Sequence, residues 1–310
     1  MILKSGLKID RYVVETSLSQ KGGTASVYLA HLEQEVKSKV ALKIAQTNDL
    51  GSTHEDALLQ FEAELLETWD WRHPGIIRLF PTPLDGRGKP EYVVRATNVK
   101  DQPWYMAMEY LRGKSLSENL NAIQKFPIGW RLELFYQILM PIAFIHKKGY
   151  AHRDLKPDNI VFREPISPDA TPQPVLIDFA LAANGIEERV IVAHSYTLEY
   201  ASPERILIAM GVDNAPIENI QAADIWSLGI ILYEILTGHS LLKGNKENIR
   251  TTLIREQLIP SIPNLGGEYE MLGHFVAAML NKEPDKRPTV KEILYALEET
   301  FLPPRIKGRQ

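Results

Sequence analysis

Ten residues, AHRDLKPDNI at positions 151–160, hold two aspartates, an arginine, a lysine, a histidine and an asparagine between two apolar segments. Their types define what they can do. Asp154 is a carboxylate able to orient a hydroxyl and accept its proton, and Lys156 offers positive charge beside it. Asn159 and, after a short apolar run, Asp178 offer oxygen ligands that suit a hard cation such as Mg2+. Upstream, Lys43 stands in an alternating segment that would aim a fixed positive charge, and an acidic residue on the segment that follows would hold that lysine by ion pairing. Together these groups suit a reaction in which concentrated negative charge is neutralised next to an incoming hydroxyl.

Positioning such groups needs rigid elements. Alternation of apolar and polar residues predicts antiparallel strands over Tyr12 to Leu18, Ser26 to Leu32 and a third segment with Val40, Leu42 and Ile44 on one face and Ala41, Lys43 and Ala45 on the other. From His54 the period becomes helical, with Leu58, Phe61, Leu65 and Trp69 on one face and a capping box from Ser52 to Glu55. Strands resume at Gly75 to Phe80 and Tyr92 to Thr97, and a last one, WYMAMEYL, places Trp104, Met106 and Met108 on one side before Gly113. Beyond it, helices are predicted over Gly129 to Lys147, Ala222 to Leu236, Glu270 to Leu280 and Thr289 to Phe301. The second of these is apolar almost all round, the mark of a helix at a domain centre. The charged loop leads into short strands Asn159 to Phe162 and Val175 to Ile177, separated by a Pro-rich surface loop.

Bulk composition excludes several classes. A net charge of -4 over 310 residues gives no pull toward nucleic acid or anionic lipid. The absence of cysteine removes disulfides and thiolate metal sites and fits a reducing compartment, with the cytoplasm as the expected location. No leader is expected, because Met1 to Asp10 lacks an apolar core, and no membrane span is expected, because the apolar stretches fall short of the ~18 residues required.

In this setting HRDLKPDN resembles the catalytic loop of eukaryotic-type protein kinases, and IDFA, from Ile177 to Ala180, resembles the Asp-Phe-Gly segment that follows it. Ala41-Leu42-Lys43 is similar to the Val-Ala-Ile-Lys strand and Ser202-Pro203-Glu204 to Ala-Pro-Glu, all in the family's order, so that the resemblance covers about residues 11 to 301. It implies an α+β bilobal fold with a small antiparallel β-sheet lobe carrying one helix (1–111), a larger mainly helical lobe (112–303) and a basic tail (304–310). It also implies transfer of the terminal phosphoryl group of ATP, with Mg2+, to Ser/Thr hydroxyls of a protein substrate.

By resemblance, Asp154 is the proton acceptor, Lys156 neutralises the phosphate in transfer, Asn159 and Asp178 hold metal, and Lys43 meets the phosphates. Glu64 is the expected partner of Lys43. It lies nine residues before His73 of RHPGII, the family's spacing, and Glu62 and Glu67 fall on other helix faces. Gly22 and Gly23 approach the phosphates, Val27 and Ala41 sandwich adenine, Met108 gates the pocket, Glu109 and Leu111 offer backbone groups, and Val161 joins the nucleotide site. His152 and Phe179 are expected to pack, Glu204 and Arg287 to form a buried ion pair, and Asp224 to cap the catalytic loop's backbone. Thr197 matches the threonine that bonds Asp154 and Lys156 in Ser/Thr kinases.

The chain departs from the family pattern at three places. Ser19 or Gln20 and Ala25 stand where the first and third loop glycines are expected, Ser115 stands where an acidic residue often binds ribose, and Ala180 replaces the glycine of Asp-Phe-Gly. A Cβ at 180 narrows the available backbone angles and predicts a stiffer metal-binding segment. Ser195 is the leading hydroxyl for phosphorylation, received by Arg153, with Glu187 or Glu188 as the alternative occupant of that charge site. The thinned glycine loop supports an alternative, a pseudokinase scaffold, whereas retention of Lys43, Glu64, Asp154, Asn159 and Asp178 favours the enzyme. A small-molecule phosphotransferase is disfavoured because SPE, DIWSLG and Arg287 build a protein-substrate platform.

Overall fold

Alternation over the first hundred residues produces a mixed-length antiparallel sheet in the computed structural model, which describes residues 3–19, 25–45, 54–68, 73–82, 91–184, 197–212, 219–242, 245–255, 269 and 271–302. Its strands are β1 (Lys8–Ile9), β2 (Tyr12–Ser19), β3 (Ala25–Leu32), β4 (Glu35–Ala45), β5 (Leu79–Phe80), β6 (Val93–Arg95) and β7 (Trp104–Glu109), and helix α1 (His54–Thr68) interrupts them between β4 and β5. The order is β1-β2-β3-β4-β7-β5, with β6 also pairing with β7. Strands β5 and β6 are shorter than their apolar runs, since each pairs with β7 over only two or three residues.

Register decides what each face of this sheet carries. Ala41 lies opposite Met108 and Lys43 opposite Met106, while Val27 lies opposite Lys43. Residues directly opposite one another point to the same face, so these five share one side. The other side carries Tyr12, Val14, Tyr28, Val40, Leu42, Ile44, Tyr105 and Ala107, which form an apolar core closed by Leu3, Ala96 and Val99. Asp10 ties this core's rim together, accepting from the Tyr105 hydroxyl at 2.8 Å and the Thr97 hydroxyl at 2.7 Å. Helix α1 packs on β4, β6 and β7.

Two compact units divide the chain: residues 1–112 with Asp178–Ala180, and 113–177 with 181–310. The second unit is mainly helical, with α2 (Leu116–Ile123), α3 (Ile128–Lys147), α4 (Pro203–Ala209), α5 (Ile220–Thr237), α6 (Lys246–Arg255), α7 (Leu272–Met279) and α8 (Val290–Thr300), plus a two-stranded ribbon of β8 (Ile160–Phe162) and β9 (Pro174–Leu176). The α+β class, with a small sheet and one helix in one unit and a mainly helical second unit, is therefore the observed one. Helices α2, α4 and α6 were not expected; each is ten residues or shorter, too short for periodicity to mark.

At the centre of the second unit, α5 packs against α3 and α7. It starts with the Asn219 side chain accepting from the Ala222 N–H and stops at Gly238, whose φ of 72° suits a residue without a Cβ. α3 and α5 are long and apolar enough to cross a bilayer, against the expectation that no stretch reaches that length. Their apolar windows are 56% and 78% buried inside the structure, so the unit uses these side chains as core.

Candidate active site

In the first unit, β4 carries Lys43 on the face covered by α1. The residue is 7% exposed. Its Nζ donates to Glu62 Oε2 at 2.5 Å and to Asp178 Oδ1 at 2.8 Å. Burial alone would lower the lysine's pKa, but the carboxylates of Asp178 and Glu62 outweigh it and hold the value above the ordinary lysine range. Burial pushes the Glu62 carboxyl upward, opposed by the Lys43 ammonium. Its other oxygen, Oε1, accepts from the Phe179 backbone N–H at 3.1 Å. Both bonds ask for acceptor oxygens, which the ionised carboxylate supplies.

The partner of Lys43 is thus Glu62 and not Glu64. Two residues on a helix are about 200° apart, so when one faces the sheet the other faces water. Leu59, Glu62, Ala63 and Leu66 are all buried, and Glu64 is exposed. The expected apolar face of Leu58, Phe61 and Leu65 lies to one side of the true one, with Leu58 and Phe61 only half-buried. A glutamate three residues after Leu59 and four before Leu66 was the available signal: an acid at the centre of an apolar stripe.

Asp178 adopts φ 64°, a left-handed conformation that costs a non-glycine residue free energy and is tolerated where surroundings fix it. Here Lys43 holds its side chain, and Glu62 holds the next N–H. Phe179 is fully buried. Ala180 is 8% exposed and lies outside the positive-φ residues, so its Cβ is accommodated.

Of the residues expected around adenine, Val27, Ala41 and Met108 lie on strands of this sheet. Ala41 and Met108 are buried, and Val27 and Leu111 are half-buried. The Glu109 N–H already donates to Arg78 O at 2.9 Å, and its side chain accepts from the Arg78 N–H at 3.1 Å. Gly22, Gly23 and Gln20 lie outside the described residues, as do Ser52, Glu187, Glu188, Ser195 and Tyr196.

In the second unit the charged loop is a closed hydrogen-bond system. Lys156 Nζ donates to Asp154 Oδ2 at 2.6 Å and to the Thr197 hydroxyl at 3.1 Å, and that hydroxyl donates to Asp154 Oδ1 at 3.3 Å. Asn159 Nδ2 donates to the Asp154 carbonyl at 2.8 Å and to Oδ2 at 3.0 Å. Asn159 thereby points its amide nitrogen at Asp154, and its amide oxygen carries neither bond. Val161 in β8 is half-buried and bridges Ser115. Ser115 itself caps α2, in a capping box with Glu118.

Behind the loop, the Asp224 carboxylate accepts the His152 N–H at 2.8 Å and the Arg153 N–H at 2.9 Å, with His146 Nε2 at 2.9 Å from Oδ2. Burial would raise this aspartate, but the hydrogen bond and charge of His146 and the loop's own donors hold it below the usual carboxylate range. The Glu204–Arg287 pair is bidentate, 2.7 Å on both arms, and Arg287 adds bonds to Ala222 O and Asn281 O. His146 and Arg205, whose guanidinium reaches the Arg153 carbonyl, were not singled out from sequence. A charged residue next to the SPE motif was the visible sign of the second.

Comparison with known proteins adds independent findings. The family model described as protein kinase domain matches residues 14–297. The chain is 29% identical over 288 residues to serine/threonine-protein kinase GIN4 of Saccharomyces cerevisiae, covering 88% of this chain and 22% of that protein. It is 28% identical over 284 residues to maternal embryonic leucine zipper kinase of Xenopus tropicalis, covering 88% and 37%. Against mitogen-activated protein kinase kinase 3 of Arabidopsis thaliana it is 31% identical over 193 residues, covering 61% and 34%. The chain therefore spans less than two fifths of the length of each of these curated relatives.

Proposed function

The chain belongs to the protein kinase domain family, and from that premise we propose that it transfers the terminal phosphoryl group of ATP, with Mg2+, to Ser/Thr hydroxyls of protein substrates, itself included. The observation that carries this reading is the Asp154–Lys156–Thr197 system: a carboxylate, an ammonium and a hydroxyl mutually fixed on one loop.

Each side chain has a task that follows from its surroundings. Asp154 Oδ2 is occupied by two N–H donors, whereas Oδ1 carries the longer Thr197 bond, so Oδ1 is the oxygen that takes the acceptor's proton. As that proton leaves, the acceptor oxygen bonds to the terminal phosphorus and the bond to the nucleoside diphosphate oxygen breaks. Lys156 offsets the charge of the group in transit, and Lys43, charged and pinned by Glu62, orients the phosphates. Asn159 and Asp178 offer the oxygen donors that suit Mg2+, and the turn of the Asn159 amide, nitrogen toward Asp154, fits that use. The ion would neutralise phosphate charge. Thr197 favours Ser/Thr over Tyr acceptors, and the cysteine-free chain fits a cytoplasmic setting.

The test is transfer from labelled ATP with Mg2+ to the protein and to a generic basic protein. Signal in the wild type that vanishes in Asp154→Asn and Lys43→Met supports the reading. ATP binding with no transfer in any of the three replaces it with a nucleotide-binding scaffold.

A further inference from the structure

The Asp154 carboxylate is reached by three side chains, and the peptide group that leads into the residue is held by others. Arg153, immediately before it, has φ 66°, which a residue with a Cβ adopts at a cost and keeps only when its peptide groups are held. The N–H on one side of that residue is held: Asp224 Oδ1 accepts it at 2.9 Å. The carbonyl on the other side accepts from Arg205 Nη1. That carbonyl belongs to the peptide whose nitrogen is the Asp154 nitrogen. The Asp154 N–H of the same peptide donates to His152 Nδ1 over a long 3.4 Å.

Arg205 is 4% exposed and stands near the start of α4, one residue after Glu204. Glu204 is anchored by both arms of Arg287, so the base of the Arg205 side chain sits on a fixed backbone. A small cavity borders the loop, lined by Arg153, Asp154, Thr197, Tyr200, Arg205 and Ser227 among others. A guanidinium bond to a buried carbonyl is charge-assisted and directional.

We propose that Arg205 is a positioning residue for phosphoryl transfer: by holding the Arg153 carbonyl it fixes the plane of the 153–154 peptide, and so the direction in which Asp154 presents Oδ1. The proposal rests on the function proposed above for Asp154. It differs from a general structural role because its bond falls on the peptide immediately upstream of one carboxylate.

Steady-state kinetics of Arg205→Met, Arg205→Gln and Arg205→Lys in the full chain test it, together with amide hydrogen exchange at residues 153 and 154. The expected result is a fall in kcat of at least about tenfold for Met, equal to ~1.4 kcal/mol of barrier, with KM for ATP within about twofold. Lys, which keeps a charged donor, recovers part of kcat. Should Met fail to fold, Gln carries the same test: a lower kcat at unchanged KM supports the proposal. A folded Met or Gln variant with wild-type kcat overturns it, and so does a loss shared equally by kcat, KM and thermal stability that Lys does not recover. If the wild type transfers no phosphate, the function of Asp154 is what has failed. The clamp is then judged by exchange alone: faster exchange at 153 and 154 in the Met variant upholds it, and unchanged exchange overturns it.

Discussion

Glu62 and Glu64 are chemically identical and two positions apart, yet burial separates them: one is 1% exposed against Lys43, the other lies on the water side of α1. Replacing Glu62 by alanine should lower kcat/KM for phosphoryl transfer by at least about tenfold, because a buried ammonium loses one of its two carboxylates, while Glu64→Ala should stay within about twofold. Equal effects would remove the assignment. Spacing to His73 pointed to the wrong glutamate because counting along the chain carries no information on helix phase, whereas the apolar positions at 59, 63 and 66 do. Another buried acid, in the second unit, is held well above the ordinary carboxylate range. Glu234, on α5, accepts the Tyr200 hydroxyl at 3.0 and 3.2 Å, and burial pushes it to about 7 from 4.5, with the Tyr200 bond opposing. Since the folded state holds the proton more tightly, this group's contribution is greatest below about pH 4.5, falls as pH rises to about 7 and is level above. Urea unfolding across pH should show Glu234→Gln gaining on the wild type over that window by roughly 1–3 kcal/mol. A difference independent of pH would refute it.

Elements were legible in proportion to their period. The faces of β4 and β7 could be read from alternation, because one side had to bury Val40, Leu42 and Ile44 while the other kept Ala41 and Lys43. The helix at 220–237 could be read from an apolar content that only a domain centre tolerates. Strand β1, with two residues, and the short helices α2, α4 and α6 have too few residues for either period to show, and they exist because caps and neighbours hold them. One such tie is the Glu204–Arg287 pair, which fastens α4 to the turn before α8 and lays the guanidinium over the Trp226 ring at 5.1 Å. Arg287→Met should cost about 3–5 kcal/mol, since Glu204 would be left as an uncompensated buried charge. Denaturant midpoints would register it, and a loss under about 1 kcal/mol would show the pair to be dispensable.

At the scale of the whole molecule, the first unit is not continuous in sequence: Asp178–Ala180 belongs to it, and the Lys43–Asp178 bond spans 135 positions. The sheet strands are joined by local antiparallel pairings and need nothing beyond residue 109. The charge pair on the sheet's other face does need it, because until Asp178 arrives Lys43 has one carboxylate where the finished unit gives it two. A ribosome therefore releases an amino-terminal third that can pair its strands but gives Lys43 its second carboxylate only when some seventy further residues have been made. Nascent chains arrested with residue 112 clear of the exit tunnel should be cut near α1 by added protease, and chains arrested after residue 180 has cleared should resist. Equal resistance at both lengths would mean that the helix docks without its late partner. Synthesis from one end thus leaves the far side of the sheet to be completed late, and a chain cut short between those two points is born with its strands and with one of the two carboxylates that hold its lysine.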